Sequence, residues 1–251
     1  DEELSDEEKA RRERMRLSGS GIVQYSWSSD GSALLFPLAG DAFYHKIGTE
    51  GAKRLLATPE FETDIKFSPK GNFISFIRDQ NLYILNIESG EETAITSSGG
   101  GDIKFGMAEF VAQEEMSRNT GYWWSPDEAN IAFTKVDEAP VDSITRSEIY
   151  ADRIATITQK YPKAGTPNVL IKLAVSNIES AKTTWVDLGD NQDIYLARAK
   201  WMNKDTLTYQ VQTRDQKTLE LRAFKLTDNK HSVLLTETSD TWINLHDDLS
   251  F

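Results

Sequence analysis

Two adjacent glutamates, Glu114 and Glu115, are the residues of this sequence whose type and spacing most clearly suggest a binding site. Consecutive helical residues point about 100° apart, and glutamate is long enough for both carboxylates to reach one small cation. Two carboxylates held together repel each other, and a bound ammonium relieves that repulsion while donating three N–H groups. The pair is thus a candidate site for an amine or a metal ion. The alternative is an ordinary surface pair, in which Glu114 bonds to Arg118 one helical turn later.

The segment that carries the glutamates predicts a short helix inside a chain that is otherwise rich in β-structure. Phe110, Val111 and Met116 give it an apolar side, and Asn119 and Gly121 can end it. Elsewhere, apolar and polar residues alternate in short runs between Asp-Gly, Lys-Gly and Ser-Gly turns, which is typical of β-hairpins. A helix inserted among strands is therefore expected to hold the two carboxylates.

One sequence unit recurs along the chain: an aromatic residue, a serine, a turn and then a hydrophobic strand. Its copies are Tyr25–Phe36, Ile65–Ile77, Trp123–Phe133 and the more degenerate Ala199–Val211. Each copy is followed by a hairpin, so the chain holds four units that each suit one four-stranded propeller blade. We predict an all-β fold, a β-propeller of about four blades, with insertions in the second and third units. Because such a set leaves sheet edges unpaired, we expect a longer parent protein.

Residues 1–18 differ from the rest and predict an N-terminal helical arm, ahead of a partial propeller domain over residues 19–251. The stretch LSDEEKARRERMRL is highly charged and has no β-branched residue. Ser5 fits a helix N-cap, and Glu8 and Arg12 form a favourable pair one turn apart. The apolar stripe is too thin for a core helix, which indicates an arm that docks on another surface.

The sequence contains no complete catalytic constellation. It has no Gly-x-Ser-x-Gly nucleophile elbow, and His45, His231 and His246 lack the partners of a zinc-binding helix motif. Because there is no cysteine, a thiol nucleophile, a disulfide scaffold and a Cys-ligated zinc are excluded. We therefore expect neither a metal nor a cofactor.

Composition narrows the range of partners. The 251 residues include 28 Lys and Arg against 40 Asp and Glu, a net charge of −12. This charge argues against a nucleic acid or an anionic membrane as the main partner. No apolar run reaches the roughly 18–20 residues that span a bilayer. We expect a folded protein with no nucleic acid partner and no membrane span.

Two longer stretches, Glu109–Val141 and Tyr161–Val169, resemble the N-terminal propeller of the dipeptidyl peptidase IV family. The N-terminal helix and Thr241–Leu249 are similar to the bacterial branch of that family. The resemblance implies an eight-bladed propeller followed by an α/β-hydrolase domain with a Ser-Asp-His triad, a domain absent from this chain. It implies a serine exopeptidase that releases Xaa-Pro or Xaa-Ala dipeptides. It also implies that Glu114 and Glu115 bind the substrate's α-ammonium.

The resemblance leaves one family residue unassigned. Family members use a propeller arginine on the substrate carbonyl, but the region after the strand Ala33–Phe36 contains no arginine here. We hypothesise that Arg12, Arg14 or Arg118 takes this role, because these residues form a basic cluster on an otherwise acidic chain. The motifs do not select among the three.

The resemblance also implies partners and a location. We expect peptide substrates with a free N-terminus, a homodimer of the full-length protein, and a periplasmic or secreted location. The alternative function is a non-catalytic propeller of the same ancestry that binds peptides or proteins. A nucleophilic serine encoded after Phe251 distinguishes the two. A generic repeat scaffold is disfavoured, since it has no reason to carry the glutamate insertion.

Overall fold

A computed structural model of the chain describes residue 4 and residues 6–251. The first element is helix α1 (Asp6–Arg14). Within it, Arg12 Nε donates a hydrogen bond of 2.9 Å to Glu8 Oε1, and both residues are buried. The predicted helix and its Glu8–Arg12 pair are therefore confirmed, while the predicted cap Ser5 lies outside the described residues.

The β-rich remainder of the described chain forms four antiparallel sheets and one separate hairpin. The first sheet holds β1 (Ser26–Trp27), β2 (Ala33–Leu38), β3 (Asp41–Lys46) and β4 (Lys53–Arg54). The second holds β5 (Thr63–Phe67), β6 (Phe73–Arg78), β7 (Asn81–Asn86) and β8 (Glu92–Ala94). The third holds β9 (Ile103–Phe105), β10 (Tyr122–Trp124), β11 (Asn130–Asp137), β14 (Leu170–Asn177) and β15 (Thr183–Val186).

The fourth sheet holds β16 (Ile194–Asn203), β17 (Thr206–Thr213), β18 (Thr218–Lys225) and β19 (Lys230–Thr238). Within each sheet the strands pair in chain order, and β9 additionally pairs with β11. This four-stranded meander is the arrangement of a propeller blade. The four predicted units therefore correspond to four sheets.

The recurring serine explains why the same turn appears in three of the units. Ser28, Ser68 and Ser125 are buried, and each Oγ accepts a 2.9 Å hydrogen bond from a backbone N–H five residues later, at Ala33, Phe73 and Asn130. The bond closes the turn between the first two strands of the blade. A serine at this position therefore sets the register in which the second strand leaves the turn.

Apolar side chains fill the spaces between successive sheets. The first and second sheets share a cluster that includes Leu35, Ile74 and Phe76. The second and third share one that includes Leu82, Ile131 and Phe133. The third and fourth share the largest, which includes Leu173, Leu196 and Leu207. Because the sheets have no strand pairing between them, this burial is what stacks one blade on the next.

Both insertions fall in the third sheet. Helix α2 (Phe110–Glu114) lies between β9 and β10, and the hairpin of β12 (Ser143–Ile149) and β13 (Ile154–Lys160) lies between β11 and β14. The predicted place of the first insertion, in the second unit, is therefore wrong. The cause is β9, a short strand ahead of the repeat that pairs with β11 and belongs to the third sheet.

Candidate functional site

Glu114 and Glu115 lie at the C-terminal end of α2. Glu114 is the last helical residue, and Glu115 is the C-cap, with φ −110° and ψ −27°. Both residues are exposed. The C-terminal end of a helix carries a partial negative charge, which adds to the charge of the two carboxylates. This end of α2 is therefore an electronegative point that favours a cation.

The two carboxylates have different surroundings. Glu114 Oε1 lies 3.7 Å from Arg14 Nε, and Glu114 Oε2 lies 4.0 Å from Arg16 Nη2. Both arginines belong to the N-terminal segment. In the part of the chain that the structure describes, the Glu115 carboxylate has no ion-pair or hydrogen-bond partner. Ion pairs at a protein surface contribute only about 0–1 kcal/mol. An incoming ammonium therefore meets one free carboxylate and one that is weakly held.

The surface pair between Glu114 and Arg118 that the sequence allowed does not form. Arg118 Nη2 instead donates to Glu109 Oε2 at 2.6 Å, and these two side chains are 3% and 2% exposed. The reason is that α2 ends at Glu114, so residue 118 is not on the same helix. Ser117 adopts a left-handed φ of 55° and turns the chain back, after which the Arg118 N–H donates to Ala112 O.

A cavity of about 760 Å³ opens beside Glu115. Its size lies within the range of about 300–1,000 Å³ that is usual for ligand pockets. Its walls come from five separate parts of the chain, represented by Met116, Tyr161, Tyr195, Arg214 and Trp242. The stretches that begin at Tyr161 and Thr241 stood out in the sequence, and the structure brings both of them to Glu115.

The charged side chains that line this cavity form ion pairs with groups of opposite charge, except for Glu115. Arg198 Nε lies 2.5 Å from Asp247 Oδ1, and Arg214 Nη1 lies 3.2 Å from Asp193 Oδ1. Each cavity arginine thus has an acidic partner already. Within the described residues, the carboxylate of Glu115 is the cavity charge that lacks one.

Arg14 joins α1 to α2. Its Nη1 donates a 2.9 Å hydrogen bond to Gln113 Oε1, and its guanidinium carbon lies 5.0 Å from the centre of the Phe110 ring. Burial lowers the pKa of Arg14, and the nearby Glu114 acts in the opposite direction. Arginine remains protonated under all ordinary conditions. A fixed positive charge therefore stands at the edge of the glutamate pair.

Of the three arginines that the sequence left open, the structure brings Arg14 to the glutamates. Arg12 is buried against Glu8. Arg118 is buried against Glu109. Arg14 is near the glutamates because the last turn of α1 docks on α2.

Sequence reasoning did not find the part of the cavity that the fourth sheet supplies. Tyr195 and Arg198 are on β16, whose alternation reads like that of any inner strand. Nothing in their type or spacing marks them as site residues. Trp242 could have been found from the sequence, because it belongs to the Thr241–Leu249 stretch, which is similar to the bacterial branch of the family.

Comparison with known proteins places the chain in a family. The family described as the dipeptidyl peptidase IV (DPP IV) N-terminal region matches residues 28–251. Dipeptidyl peptidase 8 of Homo sapiens is 27% identical over 304 aligned residues, covering 97% of this chain and 34% of that protein. Dipeptidyl aminopeptidase A of Saccharomyces cerevisiae is 26% identical over 164 residues, covering 64% of this chain and 18% of that protein.

Two solved structures share the fold. The crystal structure of Porphyromonas gingivalis dipeptidyl peptidase 4 matches with a TM-score of 0.80 and 24% identity, covering 88% of this chain and 33% of that one. A putative dipeptidyl aminopeptidase IV from Bacteroides ovatus matches with a TM-score of 0.68 and 21% identity, covering 84% and 29%. The predicted all-β propeller class is therefore confirmed.

The chain spans between 18% and 34% of the length of these four proteins. Among the residues described, no helix combines the length and the apolar character needed to cross a membrane. The family match covers nearly the whole chain and confirms the resemblance that the sequence motifs indicated. This chain belongs to the family of dipeptidyl peptidase IV N-terminal regions.

Proposed function

We propose that the chain is the substrate-binding propeller part of a serine exopeptidase that releases N-terminal Xaa-Pro or Xaa-Ala dipeptides. The relatives named above are dipeptidyl peptidases and aminopeptidases, which supports the reaction class. The observation that carries the proposal is the Glu115 carboxylate. It is adjacent to Glu114, faces a cavity of about 760 Å³, and has no partner among the described residues.

The proposed role of the glutamate pair is to bind the α-ammonium of the substrate. Three N–H donors of the ammonium match the acceptor oxygens of Glu114 and Glu115, and hydrogen bonds between charged groups are the strong ones. Fixing the amine at a set distance from a nucleophile selects the bond two residues along the peptide. Binding energy remote from that bond is thereby used to position it. A peptide with a blocked N-terminus loses this charge pair.

Arg14 is the residue that we assign to the substrate carbonyl. Of the three candidate arginines it is the one that lies next to Glu114, and its hydrogen bond to Gln113 and its stacking on Phe110 hold the guanidinium in place. A guanidinium offers five N–H donors, so a contact with Gln113 leaves others for a carbonyl oxygen. The cavity beside Glu115 then accepts the side chain of the first substrate residue.

The test uses the full-length protein that contains this chain, with Glu114→Gln, Glu115→Gln and the double variant. Hydrogen bonds to charged groups contribute about 1.5–3 kcal/mol each, and 1.4 kcal/mol is a factor of ten. We expect kcat/KM for a Gly-Pro chromogenic substrate to fall by about 10- to 100-fold in each single variant. Turnover of p-nitrophenyl acetate, which has no amine, stays unchanged.

The matched control is Glu179→Gln, since Glu179 is also exposed but lies on the turn between β14 and β15 and does not line the cavity. A double variant with unaltered kcat/KM contradicts the ammonium role. A full-length protein that binds a free-amine dipeptide through Glu115 without hydrolysing it supports the alternative, a binding propeller of the same ancestry. The periplasmic or secreted location and the homodimer stay predictions that rest on the resemblance alone.

A further inference from the structure

Glu109 and Arg118 flank the glutamate helix and form a buried ion pair with each other. We infer that this pair is a clamp that positions Glu114 and Glu115, and that Arg118 acts on the substrate only through them. The inference rests on the proposed function, because it concerns the same glutamates. It makes Arg118 a positioning residue rather than the arginine that contacts the carbonyl.

Helix α2 needs outside support to hold its last residue in place. It has five residues, and its N-cap Glu109 makes no side-chain capping hydrogen bond. Isolated helices shorter than about 12–15 residues are only marginally stable in water. The orientation of Glu114 and of the C-cap Glu115 must therefore come from tertiary contacts.

Arg118 supplies such contacts on both sides of the helix. Its Nη2 donates to Glu109 Oε2 at 2.6 Å, its Nη1 to Thr120 O at 2.9 Å, and its Nε to Leu196 O at 3.1 Å. Its backbone N–H donates to Ala112 O at 2.9 Å. One residue thus ties the start of α2, a carbonyl inside α2 and a strand of the next sheet together. With 3% of its side chain exposed, it is not placed to touch a substrate.

The hydrogen bond from Arg118 to Leu196 O connects the clamp to the wall of the cavity. Leu196 is on β16, the strand of the fourth sheet that also carries Tyr195, a wall of the cavity. Met116, next to Glu115, packs against Tyr195 and Ile243 in the same small apolar cluster. The clamp therefore sets the distance from the glutamates to the cavity wall as well as the angle of the helix.

Burial of the pair allows positioning to be separated from stability. Removing one partner of a buried ion pair leaves an uncompensated charge and is strongly destabilising. Replacing both partners by apolar residues of similar volume is often neutral for stability. Such a double replacement cannot restore the three directed hydrogen bonds of the guanidinium. If the clamp positions the glutamates, the double replacement restores the stability of the protein but leaves its function impaired.

The experiment compares Arg118→Met, Arg118→Lys and the double variant Arg118→Met with Glu109→Met in the full-length protein. Three quantities are measured: the thermal midpoint, kcat/KM for a Gly-Pro substrate, and hydrogen exchange of the peptide covering residues 109–118. Turnover of p-nitrophenyl acetate reports whether the catalytic domain is intact. Arg118→Lys keeps the charge but lacks the guanidinium fork, so partial recovery of kcat/KM is expected relative to Arg118→Met.

We expect the thermal midpoint to fall in Arg118→Met and to return to within about 2 °C of the parent in the double variant. In both variants kcat/KM stays about tenfold lower, and amides of residues 109–118 exchange at least about tenfold faster. A double variant that regains kcat/KM together with stability overturns the clamp, because Arg118 is then only structural. Unchanged exchange in these amides overturns it as well.

Failure of the proposed function gives a different pattern. In that case Glu114→Gln and Glu115→Gln leave kcat/KM unaltered, while the clamp variants still accelerate exchange over residues 109–118. Failure of the clamp alone leaves the glutamate variants impaired and the exchange unchanged. The exchange measurement does not depend on activity and therefore separates the two cases.

Discussion

Arg14 and Arg16 approach the same carboxylate from very different environments. Arg14 is half-buried, bonds to Gln113 and stacks on Phe110, whereas the Arg16 side chain is 78% exposed. Both lie near Glu114, and their positive charge offsets the repulsion between the two glutamates. Their contributions to a bound substrate should differ, since only Arg14 is held in a fixed geometry.

This difference predicts the effect of removing each arginine in the full-length protein. Arg14→Ala is expected to lower kcat/KM for a Gly-Pro substrate by about 10- to 100-fold, as one or two charged hydrogen bonds of about 1.5–3 kcal/mol are lost. Arg16→Ala, the matched control, is expected to change it by less than about threefold, because exposed ion pairs contribute about 0–1 kcal/mol. Steady-state kinetics measures both.

Equal losses in the two variants would show that general positive charge near Glu114 matters, rather than a positioned guanidinium. No loss in Arg14→Ala removes the carbonyl assignment. Arg12→Ala gives a third comparison, because its partner Glu8 is buried and its loss is expected to reduce stability instead.

The turns of the blades show how one element compensates for a strained residue. Gly31 and Gly71 occupy equivalent turn positions with φ of 69° and 78°, and Glu128 takes the same position in the third sheet with φ 66°. A left-handed φ is costly for a residue other than glycine. Glu128 is buried, and its two oxygens accept bonds from Lys70 N at 2.6 Å and Asn72 Nδ2 at 2.7 Å. The strained turn therefore links the third sheet to the second.

Substitutions at Glu128 should separate the strain from the link. Glu128→Ala keeps the unfavourable φ and removes both hydrogen bonds, so it is expected to lower the free energy of unfolding by about 2–4 kcal/mol. Glu128→Gly also removes the bonds but relieves the strain, and should lose about 1 kcal/mol less. Urea denaturation of the purified chain measures the differences. Glu88→Ala, on an exposed turn of the second sheet, is the control and should be nearly neutral.

An order of stability in which Ala exceeds Gly at position 128 would contradict the strain argument. Losses below about 0.5 kcal/mol in both variants would contradict the link between the sheets.

In the whole molecule, the site is assembled from segments that are far apart in the chain. Arg14 and Gln113 are 99 positions apart, and Arg118 and Leu196 are 78 positions apart. Helix α1 contacts α2 through Arg14, and α2, the segment that begins at Tyr161, the fourth sheet and the segment after β19 line one cavity. The substrate site that we propose is therefore a property of the stacked blades and not of any one blade.

The chain carries the glutamate pair that we propose as a binding site, but it carries no nucleophile elbow. It contains no Gly-x-Ser-x-Gly motif in its 251 residues. We expect the purified chain to release no p-nitroaniline from Gly-Pro-p-nitroanilide, because binding groups alone do not supply covalent catalysis. The full-length protein, assayed in parallel, is the positive control. Turnover by the isolated chain at rates near those of the full-length protein would refute this expectation.

Local patterns in the sequence determined the blades and the presence of the glutamate helix. The turns at Ser28, Ser68 and Ser125, like the alternation in the strands that follow them, depend on contacts within about ten residues. They can therefore be predicted from the sequence without knowledge of the fold. The adjacency of Glu114 and Glu115 is a covalent fact of the chain, and the family motifs around it were specific.

Only the tertiary structure decided which groups the glutamates face. A five-residue helix and a left-handed Ser117 send Arg118 to Glu109 rather than to Glu114, and helical periodicity alone indicated the reverse. The proximity of Arg14 to Glu114 depends on where α1 docks, and the position of the free Glu115 carboxylate beside β16 depends on how the third and fourth sheets pack. Burial of apolar surface drives that packing without directional preference, and residue types and spacing therefore do not reveal which distant side chains it brings together.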